Sequence, residues 1–209
     1  MARFGRVLRQ GVKDLWDEIG LSIGLSLLWW LAMITVVLSA PATVALADFG
    51  YRMARQQRVG LDEAKATLRQ HFWMSWRLGL AALLGAVVIA GNIWFYAQMT
   101  GWLRILAVLF IYLALAWLAI NVYALPMIGA MKAPSLRQIY RNAAIIAFAN
   151  PVYSLLLVTV LAVMVAAGLI FPPLGLTVTP ALIAIVSARA LADRLDLAAE
   201  KTKQRVEPS

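Results

Sequence analysis

The sequence predicts an all-α fold, a polytopic transmembrane helix bundle with about five spans and short interfacial helices on its cytoplasmic side. Three observations carry this expectation. No acidic residue lies between Glu63 and Asp193. Four uncharged runs (19 to 47, 78 to 103, 105 to 131 and the 47 residues from Asn142 to Ala188) each exceed the roughly 18–20 apolar residues that cross a bilayer, and the last is long enough to cross twice. Finally, 63% of the residues are hydrophobic, 14% are charged and the mean hydropathy is +0.79. A soluble domain has about half apolar and a quarter charged residues.

In chain order, residues 1–18 form an amphipathic segment in which Phe4, Val7, Leu8, Val12, Leu15 and Trp16 oppose a charged face, as in helices that lie on a membrane surface. Residues 19–192 form the transmembrane domain, with spans expected at about 19–40, 78–99, 104–127, 151–171 and 174–190, and residues 193–209 form a charged tail. The first apolar run is too long for the h-region of a signal peptide, and Pro41 after Ser39-Ala40 would hinder cleavage there, so it reads as a retained span. An alternative is a hairpin in which residues 19 to 50 turn back at Ser39-Ala40-Pro41. Each limb would then have about 16 residues, short for about 30 Å of hydrocarbon.

Basic residues in short loops stay on the cytoplasmic side. Six lie between 48 and 77 (Arg52, Arg55, Arg58, Lys65, Arg69, Arg77), three between 131 and 142 (Lys132, Arg137, Arg141) and five in the tail, whereas the opposite connections carry only Arg104. Five spans with a cytoplasmic C-terminus place 14 basic residues inside and 5 outside. That arrangement leaves Arg3, Arg6, Arg9 and Lys13 outside. The hairpin alternative changes the count to 18 inside and 1 outside.

Aromatic side chains mark both expected interfaces, with Phe72, Trp73 and Trp76 on the basic side and Trp94, Tyr96 and Trp102 on the other. Small residues recur at helical spacing in Gly20 and Gly24, in Ser22 and Ser26, and in Ala82, Ala86 and Ala90 beside Gly85, where helix backbones can approach closely. Leu68-Arg69-Gln70 and Leu136-Arg137-Gln138 resemble each other, a weak sign of a parallel repeat.

Catalysis is not expected. The acid-free interval removes paired carboxylates, cysteine is absent, His71 is the only histidine, and no Gly-Lys pair is present for a phosphate-binding loop. No metal site and no cofactor are expected. Asp48 is expected to pair with Arg52 one helical turn away, and Arg104 to reach towards headgroups, which leaves little for ion coupling. A cavity for a polar solute would draw on Asn92, Trp117, Asn121 and Tyr123. The bland reading is that Asn121 bonds across helices, while Asn150 caps the helix that Pro151 begins. Headgroup contact on the cytoplasmic side is expected from Arg52, Arg55, Arg58, Arg77, Arg137 and Arg141. The expected partners are a bilayer with anionic headgroups on that face and a membrane transport or sensor protein, and not nucleic acid.

The run Leu27-Leu28-Trp29-Trp30-Leu31, followed by Ser39-Ala40-Pro41-Ala42-Thr43 and Ala45-Leu46, resembles the opening of the YesL-like family of bacterial integral membrane proteins, a domain of unknown function. The aromatic segment from His71-Phe72-Trp73 to Trp76-Arg77 fits the same pattern. So do Tyr123-Ala124-Leu125-Pro126, Ser135-Leu136-Arg137-Gln138, Arg141-Asn142-Ala143 and Ala149-Asn150-Pro151. Together these motifs cover roughly residues 20 to 190. Ala40 stands where the family has a glycine before the proline. The resemblance implies a cell-membrane protein associated with carbohydrate uptake, with no catalytic residues to carry over. An accessory or regulatory subunit is the first expectation from the whole sequence, and a small uncoupled solute transporter the second.

Overall fold

The computed structural model describes residues 2–57, 60–131 and 135–206, and all regular structure among them is helical. The helices are α1 (Ala2–Asp17), α2 (Ile19–Ile34), α3 (Ser39–Ala54), α4 (Leu61–Gln70), α5 (Phe72–Ala97), α6 (Ile105–Ala130), α7 (Leu136–Ala149), α8 (Pro151–Ile170), α9 (Pro172–Thr177) and α10 (Thr179–Val206). A 3₁₀ turn, Gly101–Arg104, leads into α6.

Three helical stretches are long and apolar enough to cross a membrane: Phe72–Ala97, Gly101–Ala130 and Pro151–Ile170. A fourth arises only if α1 and α2 count as one span, and these two meet at 91°. Length and composition thus give three or four spans and do not confirm the expected five. Two of the expected segments are broken. Between α2 and α3 the chain reverses, and the Trp29 indole donates to Thr43 Oγ1 at 3.0 Å across the resulting antiparallel pair. Each arm has 16 residues, as the hairpin alternative required.

The reversal uses Thr35 to Leu38, just before the expected Ser39-Ala40-Pro41 site. Pro41 lies in the first turn of α3, where backbone N–H groups have no intrahelical acceptor and a missing one costs no helical bond. Val36 takes a positive φ of 52°, unfavourable for a β-branched residue. Three hydrogen bonds hold the turn around it: Thr35 Oγ1 to Ala32 O at 2.7 Å, Ser39 Oγ to Val36 O at 2.6 Å, and the Trp76 indole to Val37 O at 3.1 Å.

The expected span 174–190 is likewise divided between α9 and α10, which join at Val178. α10 then continues through Arg189, Asp193, Arg194 and Asp196, so much of the expected tail is helix.

α10 organises the fold. It runs parallel to α3, with Thr43 and Thr179 lining one cavity near one end of the pair and Arg55 bonded to Asp196 near the other. The backbones meet at Gly50, where an added Cβ would lie 2.5 Å from Ala184 O and 2.9 Å from Ile185 N. α8 lies antiparallel to α10, Gly168 facing Thr179 and the Arg194 guanidinium lying 3.7 Å from the centre of the Tyr153 ring. On the other side, α1 packs Val7, Gly11 and Leu15 inward, while Val12 and Trp16 of its expected apolar face remain 51% and 72% exposed. Arg189 donates to Asp14 and, at 3.2 Å, to Gln10 Oε1. Phe4 meets the Tyr153 ring edge-on at 5.2 Å. The N-terminal helix is thus fastened to the charged half of the C-terminal one.

α5 and α6 form a second antiparallel pair, with Tyr96 stacked on Phe110 near the connection and the Trp117 indole donating to Ala82 O at 3.1 Å further along. Gly85 leaves room for the Trp117 ring, so the stripe at Ala82, Gly85 and Ala86 is a helix seam. Gly20 and Gly24 are not, because a Cβ on either would meet nothing within 4 Å. Ser135 and Gln138 form a capping box at the start of α7. Asn150 caps α8 ahead of Pro151, as expected, accepting from Tyr153 N at 3.2 Å. Leu68-Arg69-Gln70 ends α4 whereas Leu136-Arg137-Gln138 begins α7, so the two tripeptides are not equivalent positions of a repeat.

Candidate functional site

Two cavities flank the α2–α3 hairpin. Trp29 and Leu46 line both. The first, about 270 Å³, is bounded by Trp30, Ala47, Leu125, Val165, Gly168 and Ile183, with Thr43, Thr179 and Ser187 as its hydroxyl-bearing residues. Trp30 closes one edge by donating to Gly175 O at 3.3 Å. The second, about 490 Å³, runs between the hairpin arms and α4 along Leu25, Leu28, Leu31, Ala32, Ala42 and Ala45 to Lys65 and Leu68. Local chemistry explains both. The crowded α3–α10 seam fixes one arm of the hairpin, while Leu28 and Leu31 on the other remain 51% and 60% exposed.

The four residues expected to line a polar cavity are not brought together. Asn92, in α5, donates to Val88 O at 2.7 Å on its own helix. Trp117 and Asn121 do share a small groove of about 210 Å³ with Leu78, Gly79 and Ala82. Their polar atoms, however, are engaged within the protein. Asn121 Nδ2 donates to Trp117 O at 2.8 Å, and Asn121 Oδ1 accepts from Tyr140 at 3.2 Å, a bond across helices. Tyr140 also stacks on Trp117 with ring centroids 5.4 Å apart. Burial pushes the Tyr140 hydroxyl up to about 12, so it remains a proton donor at neutral pH. Tyr123 is fully buried elsewhere, its hydroxyl 3.4 Å from Ser154 Oγ.

The expected headgroup arginines divide into two groups. Arg77, Arg137 and Arg141 are exposed. Arg52 instead donates to Asp48 Oδ2 at 2.8 Å, the expected pair, and Arg55 to Asp196 Oδ1 at 2.7 Å. Arg58 lies outside the described residues. Asp48 is 4% exposed and also accepts from Thr67 Oγ1 at 2.6 Å, which ties α4 to α3. Among the described residues, no three His, Cys, Asp or Glu side chains are grouped to hold a metal ion.

Sequence reasoning gave Gly50 no role, and it named Trp29, Trp30, Thr43 and Leu46 only as parts of the family-like motif and not as the lining of a cavity. The density of small residues in α3 (Ala42, Ala45, Ala47, Gly50) and α10 (Ala181, Ala184, Ala188) was the available signal for their close packing.

A family model described as "Protein of unknown function, DUF624" matches residues 23–93. The match runs from α2 through the hairpin and α4 into α5. It is consistent with the YesL-like resemblance over that third of the chain. No curated protein matches, and no solved structure matches.

Proposed function

We propose that this protein is a multi-pass membrane accessory subunit that works through its apolar helix faces, with both α1 and the end of α10 on the cytoplasmic side. The observation that carries this reading is the internal use of its polar groups. Trp117, Asn121, Tyr123 and Tyr140 bond to one another or to neighbouring helices, while the two larger cavities are lined almost entirely by apolar side chains. A facilitator for polar solutes needs hydrogen-bonding groups free to face its cargo. The spans α5 and α8 meanwhile have only 11% and 28% of their apolar windows buried within the chain, leaving wide faces for lipid or partner helices. Neither ion coupling nor catalysis enters this reading, since Asp48 is held by Arg52 and Thr67.

Packing and charge support this topology. α1 touches α10 through Asp14 and Arg189, which favours an even number of crossings between them. With the hairpin turning back on its own side, the three helical spans α5, α6 and α8 are joined in this reading by a fourth crossing, made by the uncharged run through α9 and the start of α10, which leaves Arg104 as the sole basic residue outside. The YesL-like resemblance directs the search for a partner to carbohydrate transport and sensing systems.

Purified protein in liposomes is expected to leave the entry rates of labelled mono- and oligosaccharides at those of empty vesicles, and to co-isolate from native membranes with a transport permease or sensor. Accelerated entry that Asn121→Ala alters would establish the transporter instead.

A further inference from the structure

We propose that the groove between the α2–α3 hairpin and α4 holds one acyl chain of an anionic phospholipid, whose headgroup is bound by Lys65. The groove, about 490 Å³, falls within the range of pockets that enclose small ligands. Apart from Lys65 and Thr35, whose hydroxyl is already bonded to Ala32 O, its lining is aliphatic and aromatic, from Leu25 and Leu28 through Ala42 to Leu68, which suits a hydrocarbon chain and offers little to a sugar. Leu28 and Leu31 leave one lip uncovered, so a chain can enter sideways from the bilayer.

Charge decides which lipid. Lys65 is the only charged residue lining the groove, is exposed, and makes no ion pair among the described residues. Of the two acids nearby on α4, Asp62 is exposed and does not line the groove, and Glu63 borders a separate crevice with Asp48 and Arg52. An ammonium at the mouth of an apolar groove complements an anionic headgroup, with the tail in the groove and the phosphate at the rim. The Trp29 indole, tethered to Thr43, forms the wall separating this groove from the neighbouring cavity.

Native mass spectrometry of the full chain in a delipidating detergent, titrated with phosphatidylglycerol or phosphatidylcholine, tests the site. The expected result is one retained phosphatidylglycerol, bound about fivefold more tightly than phosphatidylcholine, the ratio that one interfacial cation supplies. Lys65→Gln should erase this preference while Lys13→Gln, at an exposed position of α1 that does not line the groove, leaves it intact. Ala45→Phe, which fills the groove, and Leu31→Gln, which makes its exposed lip polar, should each lower retention of both lipids. The inference is overturned by equal binding of the two lipids, by equal effects of Lys65→Gln and Lys13→Gln, or by wild-type retention in folded Leu31→Gln protein.

Discussion

Gly50→Ala is expected to lower the thermal midpoint of the detergent-solubilised protein by on the order of 5 °C, whereas Gly24→Ala leaves it unchanged or raises it. Both glycines lie inside helices, and alanine favours a helix over glycine by about 1 kcal/mol. Their surroundings reverse the outcome. At Gly24 a Cβ enters open space. At Gly50 it would lie 2.5 Å from Ala184 O and 2.7 Å from Ala184 C, both atoms of the α10 backbone rather than of a side chain that can rotate away. Overpacking of a core costs about 1–3 kcal/mol, and contact with a rigid backbone belongs at the upper end. Subtracting the helix gain leaves about 2 kcal/mol, and each kcal/mol shifts the midpoint by about 2–4 °C in a chain of this size. Equal stabilisation by both substitutions would mean that α3 and α10 do not pack at Gly50.

The second large effect is expected at Asp48. Its carboxylate is buried and accepts from Arg52 Nε and Thr67 Oγ1, the latter joining α3 to α4. Removing one member of a buried hydrogen-bonded group leaves the others short of a partner, at about 1–3 kcal/mol. The Arg52 side chain is 35% exposed and recovers part of this from water, so about 2 kcal/mol is the expectation for Asp48→Ala. Thr67→Ala should cost about 1 kcal/mol, and the double variant less than the sum because both substitutions remove one shared bond. Thermal unfolding gives the energies. Hydrogen exchange should show the loss concentrated in α4, and uniform loosening of all helices would contradict a local tether.

How far the sequence reveals this structure varies by segment. α5, α6 and α8 are legible because each combines an uncharged run with a clear boundary: Arg77 and Arg104 border the apolar run of α5, and Asn150-Pro151 opens α8. The Asp48–Arg52 pair follows from helical spacing alone. The reversal at Thr35 to Leu38 is harder to read, because all four of its residues are β-branched or bulky aliphatic and none is a glycine, proline, asparagine or aspartate that would signal a turn. Its support comes from remote Trp76 and from the Trp29–Thr43 bond. Local propensity cannot report such tertiary compensation. The cavity candidates failed for a related reason. Polarity within an apolar run identified Asn121 and Tyr123, but whether each faces a cavity or a neighbour depends on Tyr140 and Ser154, which lie 19 and 31 residues away.

Cysteine labelling in intact cells tests the central claim, that the chain returns its N-terminal helix to the side occupied by the end of α10. The sequence contains no cysteine, so Gly5→Cys, Thr100→Cys and Thr202→Cys can each be introduced without background. The hairpin topology predicts that a membrane-impermeant thiol reagent reaches only position 100, with 5 and 202 labelled after the cells are opened. Labelling of position 5 from outside, with 202 protected, would separate α1 from α10 by the bilayer and contradict the account.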